Sequence, residues 1–343
     1  MPSPIPTRDR SVFFVGAGVS CALGLPNTAS LITELLDQLG RDAWRHSARL
    51  GELMTAAFRA FYPDARDQGF RPETVDFFSA VKMHAELFEG YPGGLKDAPE
   101  LYRRLKFGLA HLLLERLRDC DSRLEREHAY LEDVVQRGNI VVTSNWDLGL
   151  ERYAKLHNVP VRLRGHRDKE LVVLRLHGSI DWTLGEHMRQ DHAESDFATL
   201  NEQLFGTRPY TPSLPNAGER ARHALRIRAL ENWEQGWNRI SRRTSEPYLV
   251  TMARGKSGDL GPLDPVWREA YEAISRARRL EIVGYSMPED DTEIRTLLRA
   301  GIKRGNGPRE VVVRNPSPDV HDRVRRYLER AIKSNFLPVN AIV

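Results

Sequence analysis

Short apolar runs alternate with helix-like stretches along much of the chain. The first run, residues 13–15, is apolar without alternation and leads into a glycine turn. This pattern predicts a strand that is covered on both faces. Further strands are predicted at 139–143, 171–176, 248–251, 280–284 and 310–313, with helices such as 266–277 and 290–298 between most of them. The alternation predicts an α/β fold with a Rossmann-like parallel sheet flanked by helices.

Two regions interrupt this alternation. Residues 40–135 have apolar positions at helical spacing, such as 105, 109, 112, 113 and 117, and predict a mostly helical subdomain inserted after the first strand–helix unit. Residues 185–245 hold a proline-rich stretch and then a predicted basic helix from Glu219 to about Arg243, with Trp233 and Trp237 four residues apart. Those tryptophans could stack on bases, but covering the helix's own core face is favoured. We interpret 1–343 as one domain, with 185–245 as an insertion, lid or interaction segment.

The amino-acid composition indicates the cellular compartment of the protein more clearly than it indicates the function. Lys and Arg number 51 against 47 Asp and Glu, and no segment is a long basic run, so nucleic-acid binding is expected only through a partner. The two cysteines supply no disulfide framework, which fits a reducing cytosol. No signal-peptide core or membrane-length apolar run is present, so we expect a cytoplasmic protein without membrane contact.

The first candidate site is the glycine turn at residues 16–20. Gly16 and Gly18 permit close approaches that a side chain would block, and Ser20 with the following helix could offer N–H groups to a phosphate. The turn departs from the dinucleotide fingerprint of dehydrogenases, because Cys21 stands where a third glycine is needed. Taken alone, the turn fits either a nucleotide diphosphate site or a strand-to-helix connection that binds no ligand, and it disfavours a dehydrogenase.

Three more polar motifs follow predicted strands, at 143–147, 177–182 and 284–291. Open α/β sheets bind ligands at the carboxyl ends of their strands. Each motif alone could be a capped turn. Four polar or glycine-bearing strand ends in one chain favour a shared site. His187 and His192 lie near carboxylates, but a solvated loop is a better interpretation there than a metal site.

In these motifs the sequence resembles the sirtuin (SIR2) superfamily, and more closely its bacterial SIR2-like branch. The order of the motifs matches over roughly residues 11–320. The matching residues are Gly16-Ala17-Gly18-Val19-Ser20 with Gly24-Leu25-Pro26, Thr143-Ser144-Asn145-Trp146-Asp147, His177-Gly178, Gly284-Tyr285-Ser286 and Asn315.

The chain also departs from the sirtuin deacylases. Asn27-Thr28-Ala29 replaces their Asp-Phe-Arg, Ser144 replaces a Gln, and two cysteines cannot form their four-cysteine zinc module. The resemblance therefore implies NAD as substrate, no zinc, and an NAD+ glycohydrolase of the kind that acts in bacterial antiphage defence. A protein deacylase or ADP-ribosyltransferase, and a non-catalytic NAD or ADP-ribose sensor, remain alternatives.

The resemblance also assigns roles. Asn145 is expected to hold the ribose hydroxyls or the water, and His177 to act as general base, since imidazole titrates near neutral pH. Asp147 either accepts from the nicotinamide carboxamide or fixes its loop. The expected NAD contacts are Gly16, Ala17, Gly18, Ser20, Pro26, Ser144, Asn145, Asp147, His177, Gly284, Ser286 and Asn315. An uncontrolled NADase would drain its host, so we expect a homo-oligomer or a defence-system partner that controls activity through 185–245 or 40–135.

Overall fold

The computed structural model describes residues 11–40, 47–63, 71–88, 90, 93–118, 120, 129–163, 165, 168–184, 225–227, 247–304, 307–329, 331 and 335–339. The strands in this part of the chain are β1 (Ser11–Val15), β2 (Ile140–Thr143), β3 (Val161–Arg162), β4 (Leu171–Arg175), β5 (Gly178–Leu184), β6 (Leu225–Ile227), β7 (Pro247–Leu249), β8 (Arg279–Val283), β9 (Glu310–Arg314) and β10 (Asn335–Val339).

Helices separate most of these strands. They are α1 (Ala17–Ala22), α2 (Leu31–Leu39), α3 (Ser47–Phe61), α4 (Thr74–Glu86), α5 (Ala98–Arg118), α6 (Ala129–Val134), α7 (Gly149–Leu156), α8 (Asp264–Arg276), α9 (Thr292–Lys303) and α10 (Pro318–Leu328), with a 3-10 helix at Lys256–Leu263. No helix in the described ranges is long and apolar enough to cross a membrane.

Seven strands form one parallel sheet in the order β10-β9-β8-β1-β2-β4-β3. From β1 the chain moves to β2 on one side, and later returns to place β8 on the other side of β1 before continuing to β9. The order therefore reverses between β1 and β8, which is the position where doubly wound sheets bind ligands at the carboxyl ends of their strands. The Rossmann-like fold class predicted from the sequence is confirmed.

Each face of the sheet packs against its own set of helices. On one face, Phe13, Val15, Val141 and Val173 join the core formed with helices α1 to α7. On the other face the alternate strand residues, among them Phe14, pack with α8, α9 and α10. The helices between β1 and β2 therefore share one continuous core with the sheet.

A second, three-stranded antiparallel sheet has the order β6-β5-β7. The predicted helix at 219–243 is wrong at Leu225–Ile227, because these residues pair with β5 through Trp182, Thr183 and Leu184. Pairing with an existing strand outweighs local helical propensity there. The rest of the 185–245 insertion lies outside the described residues, as do Trp233 and Trp237. The short edge strands β3 and β10 were also missed by the sequence pattern.

Candidate functional site

The four sequence motifs follow four strands that are direct neighbours in the sheet. Gly284 follows β8, Gly16 follows β1, Ser144 follows β2, and His177 comes two residues after β4, in the strand order β8-β1-β2-β4. Because all four strands are parallel, the motifs meet at one edge of the sheet. Nothing in the local pattern required this adjacency, since β8 is distant in sequence and enters beside β1 through the crossover.

The glycines of the first turn pack directly against the β8 loop. A Cβ added to Gly16 would lie 2.7 Å from Tyr285 Cα, and one added to Gly18 would lie 2.8 Å from the Gly284 oxygen. Gly284 itself has a φ of +62°, and a Cβ there would lie 2.6 Å from the Val19 nitrogen. Contact between the two loops is therefore sufficient to explain why these positions are glycine.

This contact also uses backbone groups that the sequence assigned to a phosphate. Gly16 N donates to Val283 O at 2.9 Å, Gly18 N to Gly284 O at 2.8 Å, and Val19 N to Gly16 O at 3.2 Å. Helix α1 begins at Ala17, so Ser20 lies inside the helix rather than at its start, which corrects the expectation drawn from the sequence. The diphosphate cradle stays a prediction, and these hydrogen bonds leave it fewer free donors than expected.

Ser20 and Asn145 form a directional chain of hydrogen bonds beneath the glycine turn. Ser20 Oγ donates to Asp147 Oδ2 at 2.7 Å, so its oxygen is left to accept from Asn145 Nδ2 at 2.9 Å. The same Nδ2 donates to the Gly16 oxygen at 3.0 Å. Two acceptors thus fix the amide nitrogen, which fixes the orientation of the amide. Among the described residues, none donates a hydrogen bond to Asn145 Oδ1.

Asp147 lies deeper than Asn145 and is already hydrogen-bonded. It is 6% exposed, and its second oxygen, Oδ1, accepts from Gly149 N at 2.8 Å at the start of α7. The other oxygen holds Ser20. Of the two roles considered for Asp147, these contacts favour fixing the loop over contacting the ligand.

A buried ion pair supports the backbone of the same loop. Arg175 on β4 donates from Nη1 to the Asn145 oxygen at 2.7 Å, and its Nε and Nη2 donate to Glu151 on α7. Both side chains of the pair are 1% exposed. Arg175 was not among the residues predicted from the sequence, although a lone arginine in the apolar run 171–176 indicates that a buried partner is needed.

His177 and Asn145 occupy equivalent positions just after two adjacent strands. Thr143 on β2 is the register partner of Arg175 on β4, and each candidate residue comes two positions later. The ladder continues with Leu176 N donating to Thr143 O at 2.9 Å. Adjacent strands lie about 4.8 Å apart, so the two backbones are neighbours at the sheet edge. Their side chains contact different groups: Asn145 binds the glycine turn, and His177 faces the α8 side.

Contacts with β7 and α8 fix the position of the His177 backbone. Its oxygen accepts from Val250 N at 2.9 Å, and Gly178 has a φ of +78°. A Cβ on Gly178 would lie 2.0 Å from the Tyr248 oxygen, so only glycine allows β5 to pair with β7 here. On the far side, Trp267 Nε1 donates to the Leu176 oxygen at 2.9 Å, and the Trp267 ring centroid is 6.3 Å from that of His177.

The His177 imidazole is buried and incompletely paired. It is 7% exposed, and no hydrogen-bond partner for its Nε2 is present among the described residues. Burial lowers the pKa of His177 to about 4, assisted by the positive charge of Lys256 and opposed by Asp291. The expectation that this imidazole titrates near neutrality is therefore wrong: the ring is neutral at pH 7. A buried nitrogen without a partner is unfavourable, and such groups concentrate at functional sites.

A second group of buried polar side chains was not identified from the sequence, and two of its charges act on the pKa of His177. Lys256 Nζ donates to Asp291 Oδ1 at 2.7 Å, and Tyr285 Oη donates to Asp291 Oδ2 at 2.8 Å. Lys256, Asp291 and Tyr285 are 5%, 7% and 5% exposed. We call these three residues the Lys256 cluster. Burial, followed by the Asp291 charge, raises the pKa of Tyr285 well above its usual value, so the phenol stays protonated and donates.

The residues expected on the adenosine side occupy two further loops. Ser286 is exposed and its backbone oxygen accepts from Arg323 at 3.1 Å. Asn315 is buried; its Oδ1 accepts from Ser317 N at 3.0 Å and its backbone oxygen faces His321 Nε2 at 2.8 Å. These contacts shape the turn before α10. Ser144 is half-buried and Pro26 is buried.

A surface groove of about 480 Å³ lies between α8 and α9, away from the glycine turn. Trp267, Tyr271, Thr292 and Thr296 contribute to its walls. It adjoins the site through Trp267, which packs near His177, and through Thr292, which follows Asp291. In the described ranges, no group of three or more His, Cys, Asp or Glu side chains could hold a metal ion.

Comparison with known proteins finds likenesses among solved structures and none in sequence. No family model and no curated protein matches the chain. A solved structure described as "Structural Basis for the Mechanism and Regulation of Sir2 Enzymes" is similar at 16% identity, over 95% of this chain and 94% of that chain, with a TM-score of 0.28. A superposition this loose cannot transfer an activity, so the function must be inferred from the residues of this chain.

Proposed function

We propose that this chain is an NAD+ glycohydrolase, which cleaves the bond between nicotinamide and ribose to release nicotinamide and ADP-ribose. The observation that carries the proposal is the pair of unused acceptors on adjacent strand ends. Asn145 Oδ1 lies beside the glycine turn, and His177 Nε2 is buried without a partner in the described part of the chain. The order of the sirtuin-like motifs in the sequence supports NAD as the ligand.

The chemistry of this bond suits a site with few acids and bases. The pyridinium ring of NAD+ carries a positive charge and leaves as a neutral molecule, so it needs no proton from the protein. The protein has to orient the ribose, stabilise an oxocarbenium-like sugar and admit water. With Nδ2 of Asn145 committed to Gly16 and Ser20, Oδ1 is the atom that accepts from a ribose hydroxyl or the attacking water.

His177 supplies the second acceptor. In the tautomer that carries its hydrogen on Nδ1, the neutral ring leaves the Nε2 lone pair free to take a proton from the water or from a ribose hydroxyl. A neutral imidazole also avoids repelling the cationic nicotinamide ring before the bond breaks. A base with a pKa of about 4 is weak, so in this proposal His177 orients the water or ribose hydroxyl as much as it removes the proton.

The biological setting is a further proposal and rests on the resemblance of the motifs alone. We propose that the activity serves bacterial antiphage defence and is regulated by self-assembly or by a partner protein. Cells that carry the wild-type chain should lose NAD on phage infection and limit phage growth, whereas cells with Asn145→Ala should do neither. Equal protection by both chains would contradict this setting.

The turnover assay tests the enzymatic proposal directly. The purified full chain is incubated with NAD+, and nicotinamide and ADP-ribose are measured by liquid chromatography. Asn145→Ala and His177→Ala should each lower nicotinamide release by about 100-fold or more. The exposed residue His157 supplies a matched control, because His157→Gln should retain wild-type turnover. Release that requires an acylated peptide would indicate a deacylase, and tight NAD binding without release would indicate a sensor.

A further inference from the structure

The strand order determines where the second half of a dinucleotide lies once the first half is placed. Asn145 and His177 follow β2 and β4, whereas β8 and β9 lie on the opposite side of β1. A doubly wound sheet binds a dinucleotide across the point where the strand order reverses, with one nucleotide on each side. With the nicotinamide ribose at β2 and β4, the adenosine half therefore lies at the loops after β8 and β9, which contain Ser286 and Asn315.

Arg323 of α10 contacts the first of these loops directly. Its Nη1 donates to the Ser286 oxygen at 3.1 Å, and the guanidinium forms no other hydrogen bond to a described residue. Ser286 is exposed and Arg323 is half-buried. A guanidinium carries five N–H donors in a planar fork, so further donors remain beside Ser286 for a ligand.

Two more arginines border the same surface. Arg295 of α9 donates from Nη1 to the Glu289 oxygen at 2.9 Å, and its guanidinium lies 4.2 Å from the centre of the Tyr327 ring. Arg299 lies 5.7 Å from the same ring. Tyr327 comes four residues after Arg323 on α10 and so shares its face of the helix. Among the described residues, none of the three guanidiniums pairs with a carboxylate, which favours an anionic ligand here.

We propose that Arg323 recognises a phosphate on the adenosine ribose, so that the chain binds and cleaves NADP+ as well as NAD+. The two dinucleotides differ only in a phosphate on the 2′-hydroxyl of that ribose. Sites that accept this phosphate use an arginine, whereas sites selective for NAD+ hold the hydroxyl with a carboxylate. Arg295 and Arg299 add positive potential around the same position.

The bond that breaks is the same in both dinucleotides. Water replaces nicotinamide at the ribose carbon of NADP+, which gives nicotinamide, 2′-phospho-ADP-ribose and one proton. The orientation of the dinucleotide and its cleavage rest on the proposed function. Recognition of the phosphate by Arg323 can be measured without any turnover.

Two nucleotides that lack nicotinamide test this recognition. AMP and adenosine 2′,5′-bisphosphate differ only in the 2′-phosphate, and calorimetry measures their affinities for the purified full chain. The bisphosphate should bind about 10-fold more tightly than AMP, or better. Arg323→Gln should remove most of this difference and leave AMP binding unchanged, which also shows that the variant is folded. Arg323→Lys keeps the charge but loses the planar fork, so it should keep part of the difference.

Arg276→Gln is the matched control, because it removes the same charge from an exposed helical position. Arg276 pairs with Glu272 within α8 at 3.7 Å and precedes β8, whereas Ser286 follows β8. The strand places Arg276 on the order of 20 Å from Ser286, so both affinities should equal those of wild type. An equal loss of bisphosphate binding in Arg276→Gln and Arg323→Gln would indicate general charge attraction and overturn the inference.

The affinities of wild type can also overturn the inference. It fails if wild type binds neither nucleotide, binds both equally, or prefers AMP, as a carboxylate such as Glu289 on the 2′-hydroxyl would cause. It also fails if the preference for the bisphosphate survives in Arg323→Gln.

Turnover separates this inference from the proposed function. Wild type should release nicotinamide from NADP+, and Arg323→Gln should raise the KM for NADP+ with little change in kcat or in turnover of NAD+. If the bisphosphate is preferred but neither dinucleotide is cleaved, phosphate recognition stands and the glycohydrolase proposal fails. If NAD+ is cleaved and the bisphosphate is not preferred, the glycohydrolase proposal stands and this inference fails.

Discussion

Arg175 donates from Nη1 to the backbone oxygen of Asn145 across 2.7 Å, and so joins the two strands that carry the candidate catalytic residues. The same guanidinium is held by Glu151 of α7, and His177 comes two residues later along β4. One buried ion pair therefore fixes the Asn145 loop relative to the strand that leads to His177.

Removing one partner of this ion pair should lower the free energy of unfolding more than removing both partners. Arg175→Met leaves Glu151 as an uncompensated buried charge, and we expect a loss of about 3–5 kcal/mol in the free energy of unfolding. Arg175→Met combined with Glu151→Met should recover part of that loss. Chemical denaturation of the three proteins measures the difference. A single variant as stable as wild type would show that the pair is not closed in solution.

Two glycine substitutions should have opposite effects. Gly178→Ala places a Cβ 2.0 Å from the Tyr248 oxygen at a positive φ, so it should lower stability by about 2 kcal/mol or more and displace His177. Gly51 lies within α3 with no atom within 4 Å of an added Cβ, so Gly51→Ala should raise stability by about 0.5–1 kcal/mol. Thermal unfolding of both variants provides the comparison, and similar melting temperatures would contradict the packing around Gly178.

Ser20→Ala tests the hydrogen-bond chain under the glycine turn. It removes the acceptor for Asn145 Nδ2 and the donor to Asp147, so we expect a loss of about 1–3 kcal/mol in stability and a fall in nicotinamide release. Ser275 also donates to a backbone oxygen but lies in α8, so Ser275→Ala should leave turnover intact. Full turnover in Ser20→Ala would mean that Asn145 is oriented by other contacts.

The buried His177 predicts a pH dependence of stability with a definite sign. The pKa of His177 in the folded protein is lowered to about 4, against about 6.5 in the unfolded chain, so between these values the unfolded chain binds the extra proton. The stabilisation is complete above pH 6.5 and falls by up to about 3 kcal/mol as the pH drops to 4. Denaturation of wild type and His177→Gln at several pH values isolates this contribution, and parallel curves for the two proteins would refute it.

Metal removal should not affect the reaction. Cleavage as proposed uses Asn145, His177 and water, and the two cysteines of the chain cannot build a four-cysteine zinc site. Nicotinamide release should be the same before and after dialysis against a chelator, with added zinc as the control. A large loss that zinc restores would reveal a metal requirement.

The sequence predicted the parts of the site that follow strands and missed those that depend on packing. Residues 13–15 and 140–142 are apolar without alternation, which marked their strands and hence the positions of Gly16 and Asn145. Lys256 and Asp291 could not be paired in this way, because they are 35 residues apart and meet only when the 3-10 helix packs against the start of α9. The neutral state of His177 likewise depends on burial, which periodicity does not report.

Asn145 and His177 should act on the same sugar, and a crystal structure of His177→Ala with bound NAD+ would show whether they do. We expect the nicotinamide ribose at the carboxyl ends of β1, β2 and β4, with a hydroxyl within about 3.2 Å of Asn145 Oδ1 and open space where the imidazole stood. A dinucleotide bound elsewhere, such as in the groove between α8 and α9, would contradict it.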